Sequence, residues 1–379
     1  MPQVVNEALH ENELVDAAVA WLRDALPASW EVSRSQRALA GAVDAKRAPG
    51  AAIDVRADNG TTATLAVEAR RSFSPRDAEL LLSGLARSLR ALAAHIPVLV
   101  IAAWLSPRTQ DMLAAEAINY LDLTGNARIR LDNPALFLKS TGAERNPAPA
   151  PRGEVRLRGP KAGRLVRVLA DVRPPYGVRE IASALQLNAG YVSRLLDALD
   201  REALVDRDRR GPVRSVNVSE LLRRWTQSYD VFKSNAARGF LAPAGPAATL
   251  ERLAETESAG RLAVTGSFAA VRLAPVAAPA FLIAYCDDVP AVASELGLLP
   301  ADAGANVALL RAFDPIVWTG TECENAITYA SVSQVAIDCL TGNGRLPSEG
   351  EALLKWMSQD EARWRAESLD DLMPIGEIA

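Results

Sequence analysis

Apolar residues between positions 163 and 203 recur with the spacing of short amphipathic helices, and no other sequence feature constrains the fold as strongly. The spacing predicts helices over residues 163–170, 178–185 and 189–203. The last two helices are separated by Gln186-Leu187-Asn188, whose Asn is a favourable N-cap for the third helix. The apolar positions suited to filling a three-helix core are Ile181, Leu185, Val192, Leu195, Leu196 and Leu199.

Two short strands are predicted directly after these helices, over residues 204–205 and 213–218. The loop that joins them reads Asp-Arg-Asp-Arg-Arg-Gly-Pro over residues 206–212, which is strongly basic. Three helices followed by a β-hairpin predict a central winged helix–turn–helix domain over residues 155–222, with the hairpin as its wing.

Charge is distributed unevenly along the 379 residues, although the net charge of the whole chain is only −4. Residues 151–224 carry 16 Lys and Arg against 9 Asp and Glu, a net charge of +7. The preceding 150 residues have a net charge of −1, and residues 225–379 have a net charge of −10. One basic segment between a neutral and an acidic flank predicts a segment that contacts a polyanion.

Double-stranded DNA is the partner that this combination predicts, because a helix fits the major groove and its N-terminal residues reach the base edges. In the third helix those residues are Asn188, Tyr191, Ser193 and Arg194, of which Arg194 is suited to pairing with guanine. Contacts to phosphates or the minor groove are predicted for the hairpin residues Arg207, Arg209, Arg210 and Arg214, and backbone contacts for Lys161, Arg164 and Arg179. The alternative is a protein-docking module, in which these arginines form a solvated face.

The first 145 residues predict a separate mixed α/β domain with the element order α-β-β-α-β-α-β. Strands over 51–57 and 62–69 flank a turn, and helices are predicted to start at Ser74-Pro75 and Ser106-Pro107. A tight turn is predicted at Gly125-Asn126. Alternating Pro and Ala near residues 146–151 predict a stiff linker to the basic segment.

The pattern Glu13…Asp54…Glu68-Ala69-Arg70 resembles the restriction-endonuclease-like PD-(D/E)xK superfamily. The resemblance implies a restriction-endonuclease-like fold in which Asp54 and Glu68 hold Mg²⁺ for phosphodiester cleavage, with Glu13 joining them from the first helix. The lysine position of that family carries Arg70, which stays protonated and presents a broad planar fork that substitutes poorly for a water-positioning lysine. A degenerate domain that does not cut is therefore expected, and a Mg²⁺-dependent DNA endonuclease is the alternative function.

Residues 225–379 predict an acidic α+β domain. Strands are expected over 262–265, 280–285, 306–310 and 316–319, and helices over 333–340 and 348–357, the latter capped by Ser348. The Gly266-Ser267 turn followed by Asp287 and Asp288 is typical of nucleotidyltransferases, where such a turn binds phosphate and the acids hold Mg²⁺. Adjacent residues on a strand point to opposite faces, so these two carboxylates would diverge, and that activity is not favoured.

The C-terminal half also resembles the antitoxins of type IV toxin–antitoxin systems, the AbiEi-like transcriptional regulators. The resemblance is carried by 265–270, 304–307, 329–340 and 342–356, and with the winged helix it covers residues 155–360. It implies a transcriptional regulator that binds its own promoter, with a toxin-like protein as the partner of the acidic domain. Gln334, Asp338 and Arg345 within these stretches are expected to form a buried polar network.

Several protein classes are disfavoured by composition. Three widely spaced cysteines and two histidines argue against a disulfide framework and a zinc site. No apolar run is long enough for a membrane span, and the first residues lack the character of a signal peptide, so a cytoplasmic protein is expected. No cofactor is predicted unless the nuclease-like site binds Mg²⁺. A homodimer is expected by analogy with regulators that bind palindromic DNA.

Overall fold

The computed structural model describes residues 11–35, 51–89, 96–148, 157–208, 211–255 and 260–372. Contacts between Cα atoms divide the chain into two compact units. The first comprises residues 1–153 with 201–203, and the second comprises 154–200 with 204–379.

The first unit is built on a seven-stranded sheet whose strands lie side by side in the order in which they occur along the chain. The strands are β1 Glu31–Arg34, β2 Ala51–Arg56, β3 Thr62–Arg70, β4 Val98–Ala102, β5 Asn119–Asp122, β6 Ala127–Leu131 and β7 Leu136–Ser140. The pairs β3–β4 and β4–β5 are parallel, and the other four pairs are antiparallel. The described helices are α1 Glu11–Ala25, α2 Pro75–Leu89 and α3 Pro107–Ala115.

The two faces of this sheet pack against different helices. Alternation along the strands places Ile53, Val55, Leu65 and Val67 in one apolar cluster with the buried face of α1. Val100, Ala102 and Tyr120 lie in a second cluster, together with residues from the first half of α2 and the last turn of α3. Each helix therefore covers one identifiable face, and a side chain on β2 or β3 can be assigned to a face from its position.

The turn after β5 confirms the structural role predicted for Gly125-Asn126. Gly125 has a φ of +99°, and Asp122, which is fully buried, accepts hydrogen bonds from both the backbone and side chain of Thr124 and of Asn126. The backbone N–H of Leu105 donates to the same carboxylate at 3.0 Å. A buried carboxylate that receives five donors holds the turn against the start of α3, whose predicted cap Ser106 is also present.

The second unit begins with a helix–hairpin segment, defined as residues 157–216, of which residues 201–203 are grouped with the first unit. It contains the helices α4 Pro160–Asp171, α5 Val178–Ala184 and α6 Ala189–Arg201, followed by the antiparallel strands β8 Val205–Arg207 and β9 Val213–Val216. An isolated bridge joins Tyr176, which precedes α5, to Val213 in β9. All six predicted core residues of α5 and α6, from Ile181 to Leu199, are buried.

The rest of the second unit surrounds another seven-stranded sheet. Its helices are α7 Val218–Trp225, α8 Val231–Ser234, α9 Pro246–Leu253, α10 Ser267–Ala270, α11 Val289–Glu295, α12 Val332–Leu340, α13 Leu346–Met357 and α14 Leu369–Leu372. Its strands are β10 Ala236–Leu241, β11 Leu262–Thr265, β12 Leu282–Cys286, β13 Leu299–Pro300, β14 Val307–Arg311, β15 Glu322–Glu324 and β16 Ile327–Tyr329. They are ordered β13-β10-β14-β12-β11-β16-β15, with β12–β14 and β11–β16 parallel.

Two predictions for this region were wrong. Residues 315–318 form a 3₁₀ helix instead of a strand, because the Asp314 carboxylate accepts from the backbone N–H of Ile316 and Pro315 suits a first helical position. Helix α13 begins at Leu346, so Ser348 lies inside it and is not its cap.

A single apolar core runs through the described part of the second unit. It includes Leu165 in α4, Leu199 in α6, Leu222 in α7 and Leu309 in β14. The predicted boundary between residues 222 and 225 falls within this core, at the end of α7. The separation into winged-helix and C-terminal domains stays a prediction.

Candidate nucleic-acid interface

The N-terminus of α6 is built by a capped turn. Gln186 has a φ of +52°, and the Asn188 side-chain oxygen accepts from the backbone N–H groups of Gly190 and Tyr191 at 2.9 and 3.2 Å. The predicted N-cap is therefore confirmed. Because that oxygen is occupied, Asn188 has only its amide N–H₂ group left to donate outward.

Helical periodicity then separates an apolar face of α6 from a polar one. Val192, Leu195 and Leu196 are buried, whereas Arg194 is exposed and Ser193 is half-buried. The Tyr191 ring is also half-buried and packs against the core. Burial raises the pKa of the Tyr191 hydroxyl, so the phenol keeps its proton and remains a hydrogen-bond donor at neutral pH.

Three predicted contact residues keep their charge unneutralised. Lys161, Arg179 and Arg194 are exposed, in the early turns of α4, α5 and α6 respectively. Within the described residues, none of the three forms an ion pair or donates a side-chain hydrogen bond. Cations without carboxylate partners are the groups most readily available to phosphate.

Arg164 is one correction to the predicted contacts. Its Nε lies 3.0 Å from each carboxylate oxygen of Asp314, which is itself buried. A buried carboxylate of its own unit therefore offsets the charge of this guanidinium, which makes Arg164 a weaker candidate for a phosphate contact than Lys161, Arg179 and Arg194.

Arg207 is a second correction. It lies on β8 two residues from the buried Val205, so strand alternation turns it inward, and only 7% of the residue is exposed. Its closest carboxylate is Asp197 on α6, at 3.6 Å, and none of its guanidinium nitrogens has a hydrogen-bond partner. The predicted phosphate contact for Arg207 is therefore wrong.

The other hairpin arginines lie further along the loop. Arg214 is exposed and pairs with Asp208, which is about equally exposed. Such a surface pair contributes roughly 0–1 kcal/mol, so a phosphate can replace Asp208 at little cost. Arg209 and Arg210 lie outside the described residues.

Asp197 limits how far along α6 a polyanion can be contacted. This exposed carboxylate lies three residues after Arg194, on the polar side of the helix. Like charges repel at short range, so the surface of α6 that suits phosphates is confined to its first two turns.

The carboxylates of the nuclease-like motif do not converge. Asp54 is paired in register with Thr64, whose hydroxyl donates to its carboxylate at 2.6 Å. Glu68 lies on the same face of β3, four residues after Thr64. At the rise of an extended strand, this places Glu68 about 13 Å along the strand from the Thr64 position that Asp54 faces. The prediction that both residues hold one metal ion is wrong in this register.

The remaining members of that motif have other partners. The Arg70 Nε donates to Glu68 at 2.7 Å, and its Nη1 donates to Asp77 at 3.0 Å. Glu13 is exposed on α1, which covers the opposite face of the sheet from Asp54 and Glu68. No group of three or more His, Cys, Asp or Glu side chains in the described part of the chain is placed to hold a metal ion.

The turn considered for a nucleotidyltransferase is likewise occupied by internal contacts. The Ser267 hydroxyl donates to Glu349 at 2.5 Å, and the Asp288 side chain caps α11. Asp287 accepts from the backbone and the guanidinium of Arg261. These groups serve the packing of the second unit, and the two aspartates diverge as expected.

A buried polar network in the second unit was predicted only in part. Asp338, fully buried, accepts from Tyr229, Tyr285, Thr265 and Gln334. The prediction is confirmed for Gln334 and Asp338, and it is wrong for Arg345, which is exposed and donates to the carbonyl of Ala278.

Arg167 in α4 completes this network and was not predicted. Its guanidinium is fully buried and donates to Asp171, Ser331, Ser333 and Gln334 and to two backbone carbonyls. An arginine flanked on both sides by apolar helix residues, as in Leu165-Val166-Arg167-Val168-Leu169, is the signal that indicates it. The network joins α4 of the helix–hairpin segment to α12.

No family model, curated protein or solved structure matches the chain. Among the helices of the described residues, none combines the length and the apolar character needed to cross a membrane.

Proposed function

We propose that this protein binds double-stranded DNA through the helix–hairpin segment, acting as a winged helix–turn–helix. The single observation that carries the proposal is the exposed polar tip of α6, where Arg194 has no partner among the described residues. A helix tip of this kind enters the major groove with its first two turns, and that is the stretch of α6 free of acidic side chains.

Each cation then has a distinct role in the proposal. Arg194 reads a base edge, preferably guanine, because its guanidinium presents two parallel donors. Lys161 and Arg179 bind phosphates and fix the register of the protein on the duplex. Arg214 joins them on the hairpin after exchanging Asp208 for a phosphate, with Arg209 and Arg210 beside it in the loop sequence.

A regulatory role follows from sequence-specific binding without cleavage. The protein is proposed to act as a cytoplasmic transcriptional regulator and, by its resemblance to type IV antitoxins, as the autorepressor of a toxin–antitoxin pair. A toxin-like protein would then bind the acidic C-terminal region, and a homodimer would match a palindromic operator. DNA cleavage is not proposed, since Asp54, Glu68 and Glu13 do not meet.

Selection of duplexes from a random-sequence library by the full-length protein tests the proposal, followed by anisotropy titrations on the selected duplex. Arg194→Ala should weaken binding by roughly tenfold to a hundredfold, corresponding to one lost bidentate base contact. Lys161→Ala should weaken binding to all duplexes alike and reduce the log–log salt slope by about 0.9.

Arg238→Ala is the matched control, because Arg238 is an exposed arginine on β10, outside the helix–hairpin segment. Equal affinity of the wild type and the Arg194→Ala variant for the selected duplex would refute the proposal. A selection that enriches no sequence would refute specific recognition, and cleavage in Mg²⁺ that is lost in Glu68→Ala would restore the nuclease alternative.

A further inference from the structure

The sheet of the first unit presents a basic face at its β6–β7 end. Register pairs Arg128 with Lys139 and Arg130 with Phe137, so these four side chains share one face. The opposite face carries Ile129, Leu131 and Leu138, which pack in the cluster under α1. Among the described residues, the apolar cluster that includes residues of α2 and α3 contains residues of β4 and β5 and none of β6 or β7.

Phe137 is the exceptional residue of this face. It is 64% exposed, the highest value among the large apolar side chains that are exposed in the described residues. It borders a shallow, open depression whose lining also includes Arg128, Arg130, Leu131, Ala135 and Leu136. An aromatic ring held at the surface beside cations gives up apolar burial, and Phe137 has no ring or cation–π partner among the described residues.

The basic side chains of this face have few ion-pair or hydrogen-bond partners among the described residues. Lys139 is exposed with no ion-pair partner among the described residues, and Arg130 lies 3.7 Å from Asp132, itself almost fully exposed. The Nη1 atom of Arg128 is buried and has no hydrogen-bond partner. Three cations therefore surround an aromatic ring on one short hairpin.

We propose that this face, Arg128, Arg130, Phe137 and Lys139, binds single-stranded DNA. Cations that follow a backbone and aromatic rings on which bases stack are the two elements of single-strand recognition, and every base has a face that can stack. In a duplex the bases are already stacked on one another, so Phe137 favours a single strand. Arginine and lysine donate equally well to a phosphate oxygen and to a ribose 2′-hydroxyl oxygen, so these side chains contain no group that selects RNA. The choice of DNA rests on the proposed function, which already places this protein at DNA.

Anisotropy of the full-length protein with a labelled single-stranded oligonucleotide tests the proposal. Phe137→Ala should weaken binding about tenfold, the effect of losing one stacked base. Arg130→Ala combined with Lys139→Ala should lower the log–log salt slope by about 1.4, which is two phosphates at the value for single strands. Both changes lie at exposed positions, and a thermal melt verifies that each variant folds.

Two controls separate this site from the proposed function. Arg56→Ala, an exposed arginine on β2 of the same sheet, should leave single-strand affinity unchanged. Arg194→Ala should weaken duplex binding only, and Phe137→Ala should leave duplex binding intact.

The proposal is overturned if Phe137→Ala binds the single strand as wild type does. It is also overturned if Arg56→Ala or Arg194→Ala weakens single-strand binding as much as Phe137→Ala does. Stronger competition by a polyglutamate peptide than by an equally charged oligonucleotide would assign the face to an acidic protein instead.

Discussion

Arginines of the two units, Arg70 and Arg167, have similar local partners and very different surroundings. Each guanidinium pairs with a carboxylate close in sequence, Glu68 in one case and Asp171 in the other. The Arg70 side chain is 48% exposed, whereas that of Arg167 is fully buried. Both ion pairs join residues close in sequence, and burial decides whether the fold depends on the pair.

Loss of Arg167 should give the largest effect. Arg167→Ala leaves Asp171 buried without its cation and frees several buried acceptors, so the free energy of unfolding should fall by about 3–5 kcal/mol. Denaturant titration monitored by circular dichroism measures it. Arg158→Ala, an exposed arginine two residues before α4, is the control and should stay near wild type. A loss below about 1 kcal/mol for Arg167→Ala would mean that the buried network is dispensable.

The free energy of unfolding should also depend on pH through Asp338, a second fully buried charged residue of the second unit. Burial raises the pKa of Asp338 to about 6, against the opposing effect of four hydrogen bonds. Its contribution to stability is complete below about pH 4 and is lost as the pH rises through 6, a change of about 3 kcal/mol. The stability difference between wild type and Asp338→Asn should therefore fall between pH 4 and 7 in urea titrations. A difference independent of pH would contradict this assignment.

Replacing Arg207, whose guanidinium is buried without hydrogen bonds, should raise the free energy of unfolding, in contrast to the loss of Arg167. Arg207→Met removes a buried guanidinium none of whose three nitrogens is hydrogen-bonded, and it gives up one 3.6 Å ion pair with the exposed Asp197, so stability should rise by about 1 kcal/mol. Duplex affinity should not change, because Arg207 faces inward. Arg194→Met is the matched variant, with unchanged stability and weaker binding. Weaker DNA binding by Arg207→Met would return this arginine to the interface.

The surface pair should show the smallest effect. Arg70→Ala should cost less than about 1 kcal/mol, and that cost should shrink further at about 1 M NaCl, where exposed charges are screened. Thermal melts at low and high salt measure it. A loss of stability well above about 1 kcal/mol that persists at high salt would contradict this prediction. It would mean that the fold depends on Arg70 as it is expected to depend on Arg167.

Local patterns predicted the elements well where one face of an element is apolar. The cap at Ser106, the Asn188 cap of α6, and strands β2 and β3 all lie within about two residues of their predicted positions. Strands β1 and β7 were not predicted, because each lies at an edge of the sheet and has few buried positions. Edge strands carry little of the alternation on which such predictions rest.

The candidate sites were predicted less completely. Composition located the basic segment, yet it could not distinguish Arg194 on the outer face of α6 from Arg207 on the inner side of the hairpin. The motif Asp54…Glu68 has the right residue types, but the strand register separates its members by four positions. The register between strands, and the face of an element that a side chain occupies, depend on packing partners that are distant in sequence.

The sequence by itself determined the amphipathic helices, their caps and the concentration of positive charge between residues 151 and 224, because these depend on neighbours a few positions apart. Only the tertiary structure decided which charges are buried. Arg164 pairs with Asp314 and Arg167 with Gln334 across about 150 residues or more, and such pairing follows from how α4 packs on α12 and its surroundings. The electrostatic energy of a charge depends on the surrounding dielectric and partners, which a linear pattern does not contain.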